Sequence, residues 1–421
     1  MKRVWTCLLG VLFALALAQE ERPCPTPEPP VPPRPEAPLA MPEEFRRALF
    51  EAVWEAVRNF YLFPDYRGTD WLKIRQDYEP RVLGTVNAWE VYALLEEMVA
   101  SLQDPATRFI GPLVVEQAVL QDPAYGGIGA LLDRSWAERE GAGLKVVYVF
   151  QQGPAARAGL KARDRILAVD GDPCPTVEKI RGAVGTEVRL RVASPGEGSR
   201  EMVLVRERIT PLILPEAQRL PFAPAYGYLR LLSLEDPQGV PAQVELELAR
   251  LLQGPPLQGL ILDLRGLGGG TPGALFGVLG QFASGRLGAL YSRTETVTLE
   301  VRPGRLFPSL QGLPLAVLVD GETWGAAEVL AAYLQAHREA KVVGSPTPGQ
   351  TQGVEVLDFP DNSILVLRVF GYALPDGTPL EGRGLKPDAV VEADWLSFSL
   401  SQDPHLLKAL ELLGHTPPPG R

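Results

Sequence analysis

The stretch Leu262-Asp-Leu-Arg-Gly-Leu-Gly-Gly-Gly-Thr-Pro272 reads as a buried strand that runs into a glycine-rich turn and then a helix start. Around it the same alternation repeats. Strand-like runs cover 226–232, 259–264, 315–319 and 341–343, and helical patterns cover 241–252, the residues after Pro272, and 325–337. Alternation at this spacing predicts βαβ units with right-handed crossovers, hence an α/β core. In such units the working loops lie at the carboxyl ends of strands, facing helix N-termini whose free N–H groups attract negative charge. Two loops qualify: the opening stretch, and Val319-Asp-Gly-Glu-Thr-Trp-Gly-Ala-Ala-Glu328. In the first, Gly268, Gly269 and Gly270 free backbone amides to point at an oxyanion. The same glycines serve close packing equally well. No Gly-Lys-Ser/Thr follows, so it is not a phosphate loop.

Upstream, residues 113–208 change to short β-type runs broken by Gly and Pro: 144–150, 165–169, 187–192 and 201–206. They predict a compact β module. Residues 43–112 have helical texture, with Phe45, Leu49, Val53, Val57 and Phe60, then Trp89, Val91, Leu94, Leu95 and Met98, at three- and four-residue spacing. This region reads as a helical N-terminal cap that stops at Asp104-Pro105. Residues 19–42 are dense in Pro, which favours extended polyproline II and reads as a spacer. Residues 1–18 combine Lys2 and Arg3, an apolar run too short to span a bilayer, and Ala16-Leu-Ala18, which is the layout of a cleaved secretory leader. Residues 209–400 are assigned to the α/β core and 401–421 to a C-terminal tail.

The formal net charge is −10, and −12 once the leader's two cations are removed, which argues against nucleic acid as a partner. The expected mature chain keeps Cys24 and Cys174, without metal-ligand spacing, and whether they form a disulfide is left open. No metal or cofactor is implied.

The two loops, the β module and Asp376-Gly-Thr-Pro-Leu-Glu-Gly-Arg-Gly-Leu-Lys-Pro-Asp388 occur in an order that resembles the carboxyl-terminal-processing (tail-specific) serine peptidases. The resemblance covers about residues 50–395. Its shorter patterns are Leu102-Gln-Asp-Pro-Ala-Thr-Arg-Phe109, Gly126-Gly-Ile-Gly-Ala-Leu131, Gly153-Pro-Ala-Ala-Arg-Ala-Gly-Leu160, Asp263-Leu-Arg-Gly266 and Val343-Gly-Ser-Pro-Thr347. It implies a multidomain α/β plus β protein: a helical cap, a PDZ-like β module, and an α/β core of the ClpP/crotonase-like kind. In the PDZ-like module it assigns Tyr125, Gly126, Gly127, Ile128 and Gly129 to a loop whose N–H groups capture a peptide's terminal carboxylate while the peptide adds as a strand.

The family's nucleophilic Ser lies three residues before the helix Glu, which maps onto Gly325, ahead of Glu328. Its Lys ends a Pro-Thr-x-Gly-Lys stretch, and here Pro346-Thr-Pro-Gly349 is followed by Gln350. The two positions are 25 apart, as in the family. Gly325 has no side chain to attack a carbonyl, and the Gln350 amide is not basic enough to take a proton. Losing a nucleophile or its base costs on the order of 10⁴ to 10⁶ in rate. Thr323, Ser345 and Thr347 are the nearby hydroxyls and Lys341 the nearest amine, none with a matched base by spacing. His337, His405 and His415 fall in no motif. Asp263 and Glu328 read as holders of backbone amides rather than as an acid pair. The expectation is an exported pseudopeptidase, periplasmic or extracellular, that binds polypeptide C-termini or unfolded protein. The alternatives are an active endopeptidase with a displaced dyad and a non-catalytic partner of an active homologue.

Overall fold

In this computed structural model the described residues are 40–112, 125–133, 143–210, 212–351 and 353–415. The expected leader, most of the proline-rich spacer, and residues 113–124 of the β module fall outside them. The apolar spacing of the first described segment produces α1 (Glu43–Phe60), α2 (Trp71–Gly84) and α3 (Ala88–Ala100). Asp70 and Asn87 cap the second and third, accepting from Lys73 N and Trp89 N at 3.0 and 3.1 Å. Trp54 and Trp71 donate their indole N–H groups to each other's carbonyls at 3.1 and 3.2 Å, which locks α1 against the start of α2.

These helices do not close a core by themselves. The next element, β1 (Arg108–Ile110), carries Phe109 into the same cluster. The missing wall comes from far along the chain, as described below.

The β module follows: β2 (Tyr125–Gly127), β3 (Ala130–Asp133), β4 (Leu144–Val149), α4 (Pro154–Arg157), β5 (Arg165–Val169), α5 (Val177–Ile180), β6 (Glu187–Ala193), β7 (Ser199–Val205) and β8 (Glu207–Ile209). Its sheet runs β3-β4-β5-β6-β7, all antiparallel, and β2 pairs separately with β8. Strict alternation on β6 buries Val188, Leu190 and Val192 and exposes Glu187, Arg189 and Arg191.

The remainder supplies β9 (Glu216–Leu220), β10 (Ala223–Arg230), α6 (Gly239–Leu252), β11 (Gly259–Asp263), α7 (Pro272–Leu279), β12 (Gly285–Tyr291), β13 (Thr296–Val301), α8 (Phe307–Leu310), β14 (Leu315–Val319), α9 (Ala326–Arg338), β15 (Lys341–Gly344), β16 (Gly353–Asp358), β17 (Ile364–Ala373), β18 (Ala389–Val390) and α10 (Pro404–Leu412). The central sheet has the order β18-β15-β14-β11-β10-β9, parallel except for β9. β11 and β14 are buried along their whole length, as a parallel sheet covered on both faces requires. Leu260, Leu262, Val317 and Val319 face the helices of one side, while Ile261, Ala316 and Leu318 face α10 on the other.

Two features depart from the sequence reading. The segment assigned to a tail, 401–421, contains α10, whose Leu406, Ala409 and Leu410 at helical spacing form one of the two covers of the central sheet. The helical cap is also not self-contained. β17 pairs with β1, β16 and β12, and Leu365, Leu367 and Val369 of β17 complete the apolar cluster of α1–α3. The expected multidomain order of N-terminal helices, β module and α/β core nevertheless describes the architecture.

Candidate functional site

β11 and β14 end side by side, and the loops that follow them meet the loop after β15. Thr323 builds the turn after β14: its hydroxyl accepts from Asp320 N at 3.0 Å and donates to Leu264 O at 3.0 Å. The Asp320 carboxylate in turn accepts from Gly266 N at 2.9 Å. Backbone bonds then join the loops: Trp324 N to Leu267 O at 3.2 Å, Ala326 N to Gly269 O at 3.0 Å, and Gly325 N to Gln350 O at 2.8 Å.

Gly325 sits at a φ of +68°, a region that strains any residue with a Cβ. A Cβ built there lies 2.9 Å from Gly269 Cα and 3.0 Å from Gly269 O. Backbone therefore occupies the place where a side chain would begin. Gln350 is exposed, and its main chain makes the contacts, with its carbonyl on Gly325 and its N–H on Glu328 Oε2 at 3.0 Å. Glu328 is fully buried and also accepts from Gly349 N at 2.8 Å and from the Thr347 hydroxyl. Burial raises its carboxyl pKa, and the hydroxyl and two amides it accepts from oppose that rise without cancelling it. It staples the start of α9 to the loop that carries Gln350.

Gly268, Gly269 and Gly270 are half-buried, and among the described residues their amides find no acceptor. They are nevertheless covered. A Cβ on Gly268 would lie 2.1 Å from the Trp324 indole nitrogen, and one on Gly270 2.7 Å from Leu234 Cβ. Trp324 itself remains 40% exposed, a lid over the amides rather than a core residue.

The hydroxyls and amine considered as substitutes do not assemble a dyad. Thr323 is buried and committed to the turn, and the Thr347 hydroxyl is spent on Glu328 and on accepting Leu385 N at 2.7 Å. Ser345 is half-buried in the loop after β15. Lys341 is exposed at the opposite end of β15, three residues or roughly 10 Å from the strand's carboxyl end. Among the described residues no group of His, Cys, Asp or Glu is placed to hold a metal.

In the β module, Tyr125, Gly126 and Gly127 pair with Ile209, Arg208 and Glu207. Ile128 and Gly129 lie beyond that pairing, both buried, and among the described residues their amides find no acceptor. Their carbonyls are used, Ile128 O by Ala155 N at 2.7 Å and Gly129 O by Phe150 N at 3.0 Å, so the loop is held through its carbonyls. β3, which follows directly, is an edge strand of its sheet.

Comparison with known proteins agrees with this arrangement. Residues 225–391 match the model of peptidase family S41, residues 42–100 that of the Tricorn protease C1 domain, and residues 145–194 that of the PDZ domain. A carboxyl-terminal-processing protease of Synechocystis sp. is 29% identical over 384 residues, spanning 86% of this chain and 84% of its own. Over most of its length the chain is similar to the carboxyl-terminal-processing peptidases. A second relative with that name, from Picosynechococcus sp., is 28% identical over 86% of this chain and 87% of its own. The solved photosystem II D1 C-terminal processing protease shares the fold with a TM-score of 0.58 at 24% identity, over 86% of this chain and 96% of that one. Among the described residues no helix is long and apolar enough to cross a membrane.

Within this family fold the structure also assembles a charged seam that sequence reasoning missed. Arg265, from the Asp263-Leu-Arg-Gly266 motif, donates to Asp263 at 2.9 and 2.6 Å and to Asp403 Oδ1 at 3.1 Å, with no solvent exposure of any of the three. Tyr228 donates to Asp263 at 2.6 Å. Arg163 of the PDZ domain reaches Asp403 at 2.9 Å and the carbonyls of Trp395 and Phe398 at 3.0 and 2.9 Å. The guanidinium carbons of Arg265, Arg230 and Arg163 lie 4.3, 4.9 and 5.2 Å from the Trp395 ring centroid. Burial pulls the Asp263 and Asp403 carboxyls up, but their cationic and hydrogen-bonding partners, Arg265 foremost, together hold both below the usual range. Arg265 was visible as part of a motif. Asp403, 138 positions away, carried no local signal.

Proposed function

We propose that this protein is an exported pseudopeptidase whose PDZ domain captures polypeptide C-termini that the α/β core does not cleave. The observation that carries the reading is the seat at Gly325. The strand-turn-helix shape that presents a nucleophile is kept, but there is no side chain on it, and Gly269 backbone fills the space a Cβ would need. The available amides of Ile128 and Gly129 beside the edge strand β3 support the binding half of the reading, since a terminal carboxylate needs such donors and an extended peptide needs a free edge.

Incubating the purified chain with an unfolded protein substrate tests the first half. The expected outcome is no new termini by mass spectrometry, and turnover above a no-protein control sinks the proposal. Binding is tested with one peptide in free-acid and C-terminally amidated forms. The free acid is expected to bind at least tenfold more tightly, and equal affinity counts against carboxylate capture.

A further inference from the structure

Contacts between domains of one chain are mobile by default unless they are large and apolar. The seam between the PDZ domain and the core is constructed differently, and it centres on residues 394–403, between β18 and α10. On the PDZ side Lys145 of β4, 2% exposed, pairs with Asp394 and donates to Ser397 Oγ at 3.0 Å. Arg163 grips the same segment through Asp403 and the carbonyls of Trp395 and Phe398. On the core side Asp403 is shared with Arg265, and Trp395 Nε1 donates to Asp320 Oδ2 at 3.1 Å. The other oxygen of Asp320 holds Gly266 N in the glycine-rich loop. Arg230 reaches back from β10 to Val147 O of β4 at 3.0 Å. An apolar contact of Tyr148, Phe150 and Ile209 with Leu232 accompanies these bonds.

Arg163 is also strained. Its φ of +76° lies in the left-handed region, which disfavours a residue with a Cβ. Neighbouring bonds impose that conformation: Arg163 N donates to Val146 O and Val146 N to Asp164 O, each at 2.7 Å, and Asp164 Oδ2 accepts from Lys161 N at 3.0 Å. Glycine would satisfy the same turn without strain. What an arginine adds is the guanidinium that crosses to Asp403. Strained positions persist where the surroundings over-determine them, and they gather at residues with a task. Removing one arm of a desolvated ion pair leaves the other charge buried and uncompensated, so the seam favours having all its arms closed together.

We propose that residues 394–403 are a clasp that fastens the PDZ domain to the α/β core, so that the two tumble as one body. Arg163 and Lys145 form its grip on the PDZ domain. Arg265 and Asp320 form its grip on the core, and Asp320 extends the fastening to the loop after β11. The fastening holds whether or not the PDZ domain captures a chain end.

Amide nitrogen relaxation, measured by NMR on the full, deuterated chain, tests this. Strands β4–β7 and the core strands are expected to share one rotational correlation time, and a shorter time for β4–β7 overturns the clasp. Arg163→Gly then separates the arm from local folding. Because it relieves the strained φ, hydrogen exchange at 188–192 is expected to be unchanged or slower, while the correlation time of β4–β7 falls to about two-thirds of the core value. Should exchange at 188–192 quicken instead, Asp394→Ala, which removes only the exposed carboxylate opposite Lys145, carries the test: separate tumbling of β4–β7 supports the clasp and common tumbling overturns it. With 188–192 still protected, common tumbling that survives Arg163→Gly, Asp394→Ala and their combination overturns these arms as the fastening.

Discussion

Among the described residues, the glycine-rich loops at 126–129 and 266–270 both carry amides without an acceptor, and they have opposite surroundings. At Gly126–Gly129 the N–H groups of Ile128 and Gly129 lie beside an edge strand, and the loop's carbonyls anchor it from behind. At Gly266–Gly270 the Trp324 ring crowds Gly268 and Gly269, Leu234 and Ala326 crowd Gly270, and the neighbouring Gly325 is pressed onto Gly269. Free donors are therefore not sufficient for function. The first loop has an approach for an extended chain, while the second is sealed by backbone contacts that only glycine at position 325 permits.

The contrast can be broken most forcefully at Gly325. Gly325→Ser puts a Cβ at positive φ and within 2.9 Å of Gly269 Cα, and should cost about 3 kcal/mol of unfolding free energy in urea titrations. Adding Gln350→Lys should restore no cleavage while that contact persists. A double variant that is stable and cuts would mean that the second loop opens readily. A smaller loss, about 2 kcal/mol, is expected for Gly268→Ala, whose Cβ meets the Trp324 indole. Trp324→Ala should recover most of it in a double-mutant cycle, and strictly additive effects would show that the indole is not the lid.

At the first loop the expected effect is on binding. Amidating a peptide's C-terminus should weaken it about tenfold, or ~1.4 kcal/mol, while Gly325→Ser leaves this ratio unchanged. A ratio that moves with Gly325 would mean that the two loops share one ligand.

The smallest effect concerns what stands behind the second loop. His405 is 1% exposed with neither ring nitrogen partnered among the described residues, and it faces Arg265, Asp403, Asp263 and Asp320. Burial, then Arg265, holds its pKa below the ordinary value. A depressed histidine contributes stability that is fully present above about pH 6.5 and is lost as pH falls through its folded value. Thermal midpoints should therefore drop between pH 7.5 and 5.5, and His405→Leu should flatten the slope. An identical slope in that variant would assign the acid sensitivity elsewhere in the seam.

The central strands were legible because a parallel sheet buried on both faces demands unbroken apolar runs such as Leu315–Val319. The hairpins β12–β13 and β16–β17 were not, since strands such as Gly353-Val-Glu-Val-Leu-Asp358 are largely exposed and mix valine with acidic residues. The tail assignment failed for a related reason: α10 is short, and its apolar stripe acquires meaning only against the sheet it covers.

By itself the sequence determined the order of the modules and the identities of the residues at 325 and 350, because residue identity and register are local properties of the chain. Whether Gly325 leaves an open seat or a filled one depended on Gly269, 56 positions away. The partners of Arg265 depended on Asp403, and the wall of the helical region on β17. Those were decided by the tertiary structure alone, since contacts between distant segments follow from how sheets stack and loops meet, and no spacing along the chain records them.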